Sequence, residues 1–169
     1  QMVKVFVVEV RKSTRGPQVL ISRTHPGLVK RLFEIEVPEI FDGIVEIKSI
    51  AREAGSRTKI AVFSNDNDVD PIGACVGPKG GRVAGIVDEL RGEKIDIIKY
   101  SDQPEEFIAA ALSPADVVAV TMLDEGKSCR VIVPDNQLSL AIGKEGQNVR
   151  LAAKLTGFKI DIKPESEAY

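Results

Sequence analysis

A Gly-x-x-Gly motif occurs twice in the chain, as Gly77–Gly80 and Gly143–Gly146, and the two copies start 66 residues apart. Apolar residues at helical spacing stand before and after each copy. Each copy is then followed by a glycine and by the sequence Lys-Ile-Asp-Ile, at 94–97 and at 159–162. Such matched spacing indicates an internal repeat, which restricts the chain to folds built from two similar units.

Each unit is predicted to run as strand, strand, helix, Gly-x-x-Gly, helix, strand. The two upstream strands are joined across a glycine turn, and Lys-Ile-Asp-Ile has the period of two that is typical of a strand. An amphipathic helix is expected to lead into each unit. The lead-in helices and paired strands are expected at Leu28–Ile35, Val45–Glu53, Thr58–Ser64, Pro104–Leu112, Val117–Asp124 and Ser128–Val133.

We call Gly77–Gly80 the first hinge and Gly143–Gly146 the second hinge. The first glycine of each can take a positive φ and close the preceding helix, and the second leaves room for a bulky backbone such as a sugar-phosphate chain. The helix N-terminus that follows offers unpaired N–H groups and partial positive charge, which suit a phosphate. Lys79 and Lys144 add full charges. A plain helix–helix turn explains one such motif, but two matched copies favour binding.

Composition narrows the functional classes. The chain has 169 residues, 43% of them apolar, which is enough for two small domains and part of a third. Its net charge of −2 means that RNA binding requires local positive charge. The sequence has no run of eighteen apolar residues and its start does not resemble a signal peptide, so a soluble cytoplasmic protein without membrane contact is expected. The basic residues near the hinges are Lys79, Arg82, Lys144, Arg150 and Lys154.

The residue patterns do not fit a metal site or a nucleotide-binding site. Cys75 and Cys129 have no metal-ligand spacing and are expected to be buried small residues. The acidic stretch 65–70 lacks the glycine and the glutamate that a calcium loop needs at its sixth and twelfth positions. Asp70 is instead expected to cap a helix that begins at Pro71. Neither hinge has the spacing of a Walker A motif. We therefore expect no metal, no cofactor and no catalytic residue.

The first 24 residues read as two strands, Val3–Val10 and Gln18–Arg23, joined by a polar loop over 11–17. Two strands cannot hold a core alone, so we expect the end of a small OB-type barrel whose earlier strands are absent from this chain. Thr24 is predicted to cap the next helix, and the single histidine, His25, is expected to be structural.

The order of elements resembles the prokaryotic, type II KH module, in which the Gly-x-x-Gly loop clamps about four nucleotides of single-stranded RNA. Several stretches are together similar to the NusA family of bacterial transcription factors. The resemblance implies an α/β (α+β) fold with two tandem type II KH domains, each a three-stranded sheet packed by helices, preceded by a partial S1 β-barrel of the OB type. The similar stretches are Ser22–Ile40, Ile50–Val62, Asp70–Gly80, Leu90–Ile97 and Leu138–Asn148.

On this basis the domains are expected at 1–24 for the barrel strands, 25–100 for the first KH domain with its lead-in helix, 101–164 for the second KH domain and 165–169 for a tail. Only residues Tyr100–Asp102 separate the last strand of the first unit from the second unit's first helix. We therefore expect the two units to pack into one rigid surface.

The resemblance implies a non-enzymatic RNA-binding module of a factor that modulates RNA polymerase pausing, termination and antitermination. Its expected partners are single-stranded RNA, RNA polymerase through an N-terminal region that this chain lacks, and other elongation or antitermination factors; the chain itself is expected to be a monomer. The alternative is an accessory RNA-gripping domain of a larger RNA-processing enzyme or a ribosome-associated protein.

The resemblance also implies two RNA clamps. The residue types suggest close backbone approach for the glycines, phosphate contacts for the basic residues and polar contacts for the amides. Glu145 would repel a phosphate, so we expect it to cap the following helix. Ile132 and Ile160 are candidates for an apolar platform under the bases. The first clamp comprises Gly77, Pro78, Lys79, Gly80, Gly81 and Arg82, and the second comprises Gly143, Lys144, Glu145, Gly146, Gln147 and Asn148.

Overall fold

The computed structural model describes residues 2–13, 15–123 and 126–168. Their strands form a two-stranded sheet followed by two three-stranded sheets. The elements are β1 Phe6–Ser13, β2 Gly16–Ser22, α1 Pro26–Glu36, α2 Pro38–Phe41, β3 Val45–Glu53, β4 Arg57–Ser64, α3 Pro71–Val76, α4 Gly81–Glu89, β5 Lys94–Lys99, α5 Pro104–Ala111, β6 Ala119–Met122, β7 Ser128–Val133, α6 Leu138–Ile142, α7 Gln147–Thr156 and β8 Lys159–Pro164.

The two three-stranded sheets have the same topology. In the first, β4 lies in the centre, antiparallel to β3 and parallel to β5. In the second, β7 is antiparallel to β6 and parallel to β8. Parallel neighbours need a long crossover connection, and in each unit the helix–hinge–helix segment supplies it. Each hinge therefore lies midway along the crossover that links the central strand to its parallel neighbour.

The first sheet is buried on both faces. On one face, Ile60 packs with Phe33 of α1 and Cys75 of α3. On the other face, Ala61 belongs to a second apolar cluster that includes Leu151 of α7. Because neighbouring residues of a strand point to opposite faces, β4 contributes to both cores. The prediction that the two units pack against each other is confirmed, since they share an apolar core.

Hydrogen bonds also connect the two units. Lys59 is fully buried, and its Nζ donates to Asp96 Oδ2 at 2.9 Å and to the Ser113 carbonyl of the second unit at 2.7 Å. Burial lowers the pKa of Lys59, while the carboxylate of Asp96 opposes that shift. The Ser49 hydroxyl donates to the Leu155 carbonyl at 3.0 Å. A buried lysine without these acceptors would be costly, so the contacts favour one relative placement of the two units.

Most predicted elements are confirmed, with small changes at their ends. Strand β3 has the predicted bounds, and β7 also does. The strand predicted over 117–124 is shorter, Ala119–Met122, and Asp124 lies outside the described residues. Of the predicted tail at 165–169, Glu165–Glu167 form a single 3₁₀ turn, and the last residue is likewise outside the described part of the chain.

Two predictions near the start of the chain are wrong. Most of the expected loop over 11–17 is strand, with Arg11 paired to Gln18 and Lys12 to Pro17. Polar residues are tolerated there because these positions are exposed. The cap of α1 is His25 rather than Thr24, since His25 Nδ1 accepts from the Gly27 N–H at 2.9 Å. Thr14 lies outside the described residues.

Candidate nucleic-acid interface

The two hinges have the same backbone conformation. Gly77 opens the first with φ 77° and ψ 172°, and Gly143 opens the second with φ 82° and ψ 167°. The third residue, Lys79 or Glu145, is left-handed in both, with φ 54° and 56°. The second glycines follow at φ 73° and 75°. The first, third and fourth residues thus have matching backbone angles in both repeats.

The opening glycine of each hinge is required for two reasons. Its φ and ψ fall in a region that is essentially restricted to glycine. In addition, a Cβ on Gly77 would lie 2.5 Å from Cγ of Arg82, and one on Gly143 would lie 2.6 Å from the Asn148 backbone nitrogen. Both glycines also close the preceding helix, as expected, because their N–H groups donate to the carbonyls four residues earlier.

The second glycine of each hinge faces open space. A Cβ on Gly80 would meet no atom within 4 Å, and one on Gly146 would meet only Nη1 of Arg150, at 4.0 Å. The nearby Lys79 and Lys144 are exposed, and neither forms an ion pair with a residue of the described ranges. Each hinge therefore presents bare backbone beside a positive charge, which is the arrangement that a phosphodiester chain can approach.

The charges of the two hinges do not superpose. Lys79 occupies the left-handed position of the first hinge, and Glu145 occupies that position in the second. Lys144 instead stands one residue earlier, where the first hinge has Pro78. The repeat therefore preserves the backbone path and places one lysine per hinge at different points along it.

Arg82 is held within its own unit. Its Nη1 donates to the Ala74 carbonyl at 2.7 Å and to both oxygens of the Glu39 carboxylate at 3.1 and 3.2 Å. The guanidinium thus braces α4 against α3 and α2. Its phosphate contact stays a prediction, and in this structure its charge is already balanced by Glu39.

Asn148 lies in the protein interior, with 3% of its surface exposed. Its Nδ2 donates to the carbonyls of Leu112 and Ala141 at 3.0 and 2.9 Å, so it joins α7 to the helices before it. Its Oδ1 is buried without a partner among the described residues. The structure therefore gives this residue a role in supporting the hinge, and its expected contact with RNA stays a prediction.

The second hinge is attached to the first unit. Arg150 donates from Nε and Nη2 to the Glu53 carboxylate at 2.6 and 2.8 Å, and from Nη1 to the Glu145 carbonyl at 3.0 Å. Gln147 Nε2 donates to Ser56 Oγ at 2.7 Å. Gln147 Nε2 also donates to Glu53 Oε1 at 3.2 Å. The hydrogen bonds that Glu53 accepts, first from Arg150 and then from Gln147, lower its pKa to about 2. Glu53 and Ser56 could not be predicted as partners of the second hinge, because a polar turn after a strand carries no signal of a distant partner.

The expectation that Glu145 caps the following helix is wrong. Helix α7 begins after Gly146 without a side-chain hydrogen bond at its cap. Glu145 lies within the hinge, in a left-handed backbone conformation two residues before α7 begins at Gln147, and it is exposed. Its contribution to the hinge is the carbonyl that Arg150 holds.

Ile132 and Ile160 do not form one platform. Ile160 is paired with Cys129 and Ile132 with Lys163, so the two isoleucines point to opposite faces of the sheet. Ile160 packs against the shared core. The face that carries Ile132 also carries Arg130 and Asp161, so it is a mixed polar surface.

The cysteines are buried, as predicted, and burial is the main reason that the pKa of Cys75 rises to about 12. Burial also raises the pKa of Cys129. In the described part of the chain, no three histidine, cysteine, aspartate or glutamate side chains come together as a candidate metal site. No helix within those ranges is long and apolar enough to cross a membrane.

Residues 23–100 match the family model described as the NusA-like first KH domain, and residues 104–169 match the NusA-like second KH domain. Over 98% of its length, the chain is 66% identical to the transcription termination/antitermination protein NusA of Halalkalibacterium halodurans and to that of Bacillus subtilis. It spans 44% and 45% of those relatives' lengths.

A likeness to a solved structure agrees at the level of the fold alone. The crystal structure of a protein named APE1850 superposes with a TM-score of 0.56, covering 80% of this chain and 95% of that one, at 19% identity. With the two domain matches and the repeated sheets, the predicted fold class of tandem KH domains is confirmed.

Proposed function

Because the chain belongs to the NusA family, we propose that it binds single-stranded RNA through both hinges, as the RNA-holding part of a bacterial transcription factor. The observation that carries this proposal is the identical bend of the two hinges, each with an open second glycine beside an exposed lysine. Two such sites on a body with a shared core suit one RNA strand better than two independent ligands.

The proposed clamp works through the backbone. The RNA sugar-phosphate chain lies over Gly80 and Gly146, where no Cβ blocks its approach. The first N–H groups of α4 and α7 point toward its phosphates, and Lys79 and Lys144 add the full positive charges. At about four nucleotides per KH loop, the pair of hinges should cover roughly eight nucleotides or more.

The twelve residues of the two predicted clamps fall into three groups: those accessible to RNA, those hydrogen-bonded within the protein, and those that form the bend. The lysines and the second glycines are available to RNA, and we assign them its direct contacts. Arg82, Gln147 and Asn148 are engaged with the protein, so we assign them the support of the hinges. Pro78, Gly81 and Glu145 complete the bend, and the opening glycines make it possible.

The whole protein's role is proposed on the same basis. We assign it the modulation of RNA polymerase pausing, termination and antitermination, in the cytoplasm, without an enzymatic activity of its own. Contact with polymerase and with other elongation factors would then involve the whole factor, and this part of it would act as a monomer. The alternative of an accessory domain in an RNA-processing enzyme or ribosome-associated protein is less favoured, because the relatives are named as transcription termination/antitermination proteins.

The domain divisions belong to this proposal. We place the first KH domain at 25–100, the second at 101–164 and a tail at 165–169. The exposed hairpin of β1 and β2 in 1–24 is assigned to an S1 barrel of the OB type, because apolar residues of both strands, such as Val10 and Leu20, are more than half exposed. Such a hairpin gains stability from further strands.

The direct test is a comparison of binding to an unstructured RNA and to a hairpin stem of the same composition. A hinge that holds splayed nucleotides does not admit a stacked A-form helix, so the unstructured strand should bind more tightly. Equal affinity for the two RNAs would contradict the proposal.

A further inference from the structure

A cavity of about 270 Å³ lies at the end of the first sheet, where β4 and β5 finish. Two half-buried aromatic rings line it, Phe63 and Tyr100, with centroids 6.2 Å apart and planes nearly perpendicular at 88°. The rest of its wall includes the side chains of Asp66, Asn67 and Lys99. An aromatic wall with a few polar groups at its rim is typical of a site for a flat ligand.

Helix α3 joins the cavity to the first hinge. Pro71, the first residue of α3, lines the cavity, and Gly77 follows the last residue of the same helix. Six helical residues rise about 9 Å. Helix α3 packs against β5, and Lys99 at the end of β5 is in the cavity wall. A strand of about four nucleotides held at the first hinge therefore reaches the cavity along α3 and β5.

We propose that this aromatic pocket takes one unstacked base of the RNA strand held by the first hinge. The inference rests on the proposed function and adds a base-specific site to a clamp that otherwise contacts the backbone. The face of Phe63 provides the stacking surface, as aromatic side chains do in other single-strand binders, and Tyr100, nearly perpendicular to it, lies at the edge of the base. Lys99, exposed at the rim, lies where the phosphate of that nucleotide would pass.

The polar wall also predicts which bases fit. One oxygen of Asp66 accepts the Asp68 N–H at 2.9 Å, and the carboxylate is an acceptor with no proton to donate. An acceptor pairs with an exocyclic amino group, which adenine, cytosine and guanine carry and uracil lacks. The neighbouring Asn67 amide supplies a donor for a ring nitrogen or carbonyl. The pocket should therefore favour a base with an amino group.

The aromatic rings also have a structural contact that the test must separate from base binding. Tyr100 packs edge-on against Phe107, which is 7% exposed and belongs to the shared core, with centroids 5.0 Å apart. Lys48 of β3, whose side chain is exposed, places its Nζ 5.1 Å from the centroid of Phe63 and 5.6 Å from that of Tyr100. Loss of a ring can thus weaken the protein without any base being involved. A purely structural role would weaken binding equally at every RNA position. A role in base binding predicts that removal of the ring abolishes the effect of removing one particular base.

The experiment scans an unstructured RNA of about twelve nucleotides, long enough for both hinges, with an abasic nucleotide at each position in turn. For the wild-type chain, the abasic nucleotide should lower affinity roughly tenfold at the position that fills the pocket, as expected from base–aromatic stacking. The Phe63→Leu variant should bind the intact RNA about tenfold more weakly, and the abasic nucleotide at that position should cost it less than about twofold further. Phe41→Leu, which changes a ring 81% exposed on α2, is the matched control and should retain the wild-type profile.

A second variant keeps the test decisive if Phe63→Leu is unstable. Asp66→Asn lies in an exposed loop, and its remaining oxygen can still accept the Asp68 N–H. The wild type should prefer adenosine to purine riboside, which lacks the amino group, at the pocket position, and Asp66→Asn should lose that preference. Identical abasic profiles for wild type and Phe63→Leu, or an unchanged preference in Asp66→Asn, would overturn the pocket while leaving hinge-dependent RNA binding intact. Absence of any RNA binding by the wild type would overturn both proposals.

Discussion

The first and second hinges follow one backbone path but are braced in different ways. In the first, Arg82 reaches Glu39 of the same unit. In the second, the brace crosses between units, because Arg150 and Gln147 reach Glu53 and Ser56 of the first unit's β3–β4 turn. The two repeats thus share the backbone conformation that their glycines allow. Their side-chain contacts differ, because the first hinge is held by its own unit and the second by the neighbouring unit.

This difference makes the second hinge dependent on the first unit. The β3–β4 turn that contacts the second hinge is stabilised by a buried carboxylate, that of Glu93, which is 1% exposed. Glu93 accepts from Arg52, from the Thr58 hydroxyl at 2.6 Å and from the Gly55 N–H at 2.8 Å. Loss of a contact in this cluster should therefore disturb the structure of the second hinge more than that of the first.

The largest expected effect comes from Glu93→Ala. Removal of one partner leaves the Arg52 guanidinium buried and unpaired, which should cost about 3–5 kcal/mol of unfolding free energy. Denaturant unfolding measures that loss, and amide chemical shifts should move more at Gly146 than at Gly80. Glu46→Ala, on the same strand as Arg52 but half exposed, is the control and should change stability by less than about 0.5 kcal/mol. Equal shifts at the two glycines would mean that the turn does not hold the second hinge.

The next largest effect is the loss of stability on replacing the opening glycine of a hinge, compared with its second glycine. Gly143→Ala combines a backbone region restricted to glycine with a contact of 2.6 Å to the Asn148 nitrogen, so we expect a loss of about 3 kcal/mol. Gly146→Ala meets open space and pays only for its left-handed φ, about 1 kcal/mol. Gly77→Ala and Gly80→Ala should show the same order, measured by chemical denaturation. Equal losses within a pair would contradict the different roles assigned to the two glycines.

Single charge reversals in the hinges should affect RNA binding rather than stability. Aspartate tolerates the left-handed conformation of Lys79 and is favourable near a helix N-terminus, so Lys79→Asp and Lys144→Asp should both fold. Each should flatten the slope of log affinity against log salt by about 0.7, the value for one phosphate contact with a single strand. Lys30→Asp, an exposed reversal on α1, is the matched control and should leave the slope unchanged.

The smallest effect is the pH dependence of the brace between the units. The pKa of Glu53 is lowered from 4.5 to about 2 in the folded protein, so its contact with Arg150 contributes fully above pH 4.5 and is lost as the pH falls through about 2. Titration of the Glu53 carboxyl carbon by nuclear magnetic resonance should show this low pKa. Arg150→Ala should raise it, whereas Arg130→Ala, on the outer face of the second sheet, should not.

The sequence predicted the repeat, the fold class and the positions of both hinges because those features are local. Glycine restrictions, helical spacing and strand period all act within a few residues. The braces could not be predicted, since Glu53 and Arg150 are 97 residues apart and meet only through tertiary packing. The buried site of Asn148 was missed for the same reason, as its partner Leu112 is 36 residues away.

The capping error has a different origin. Thr24 fits the sequence pattern of a helix cap, but Ser22 Oγ accepts from the N–H groups of both Thr24 and His25, each at 3.1 Å. This local turn shifts the helix start by one residue, and the imidazole of His25 takes the capping position. Competition among neighbouring polar side chains of this kind is not resolved by residue preferences alone.

The central claim is that both hinges hold one RNA strand. It is tested most directly by the double variant Lys79→Asp/Lys144→Asp, measured for melting temperature and for affinity to an RNA long enough to span both hinges. We predict an unchanged melting temperature, a salt slope flattened by about 0.7 for each lysine, and a loss of affinity greater than either single variant explains, because the second contact is intramolecular once the first has formed. An unchanged melting temperature together with unchanged RNA affinity would contradict the claim and leave the two hinges as helix turns alone.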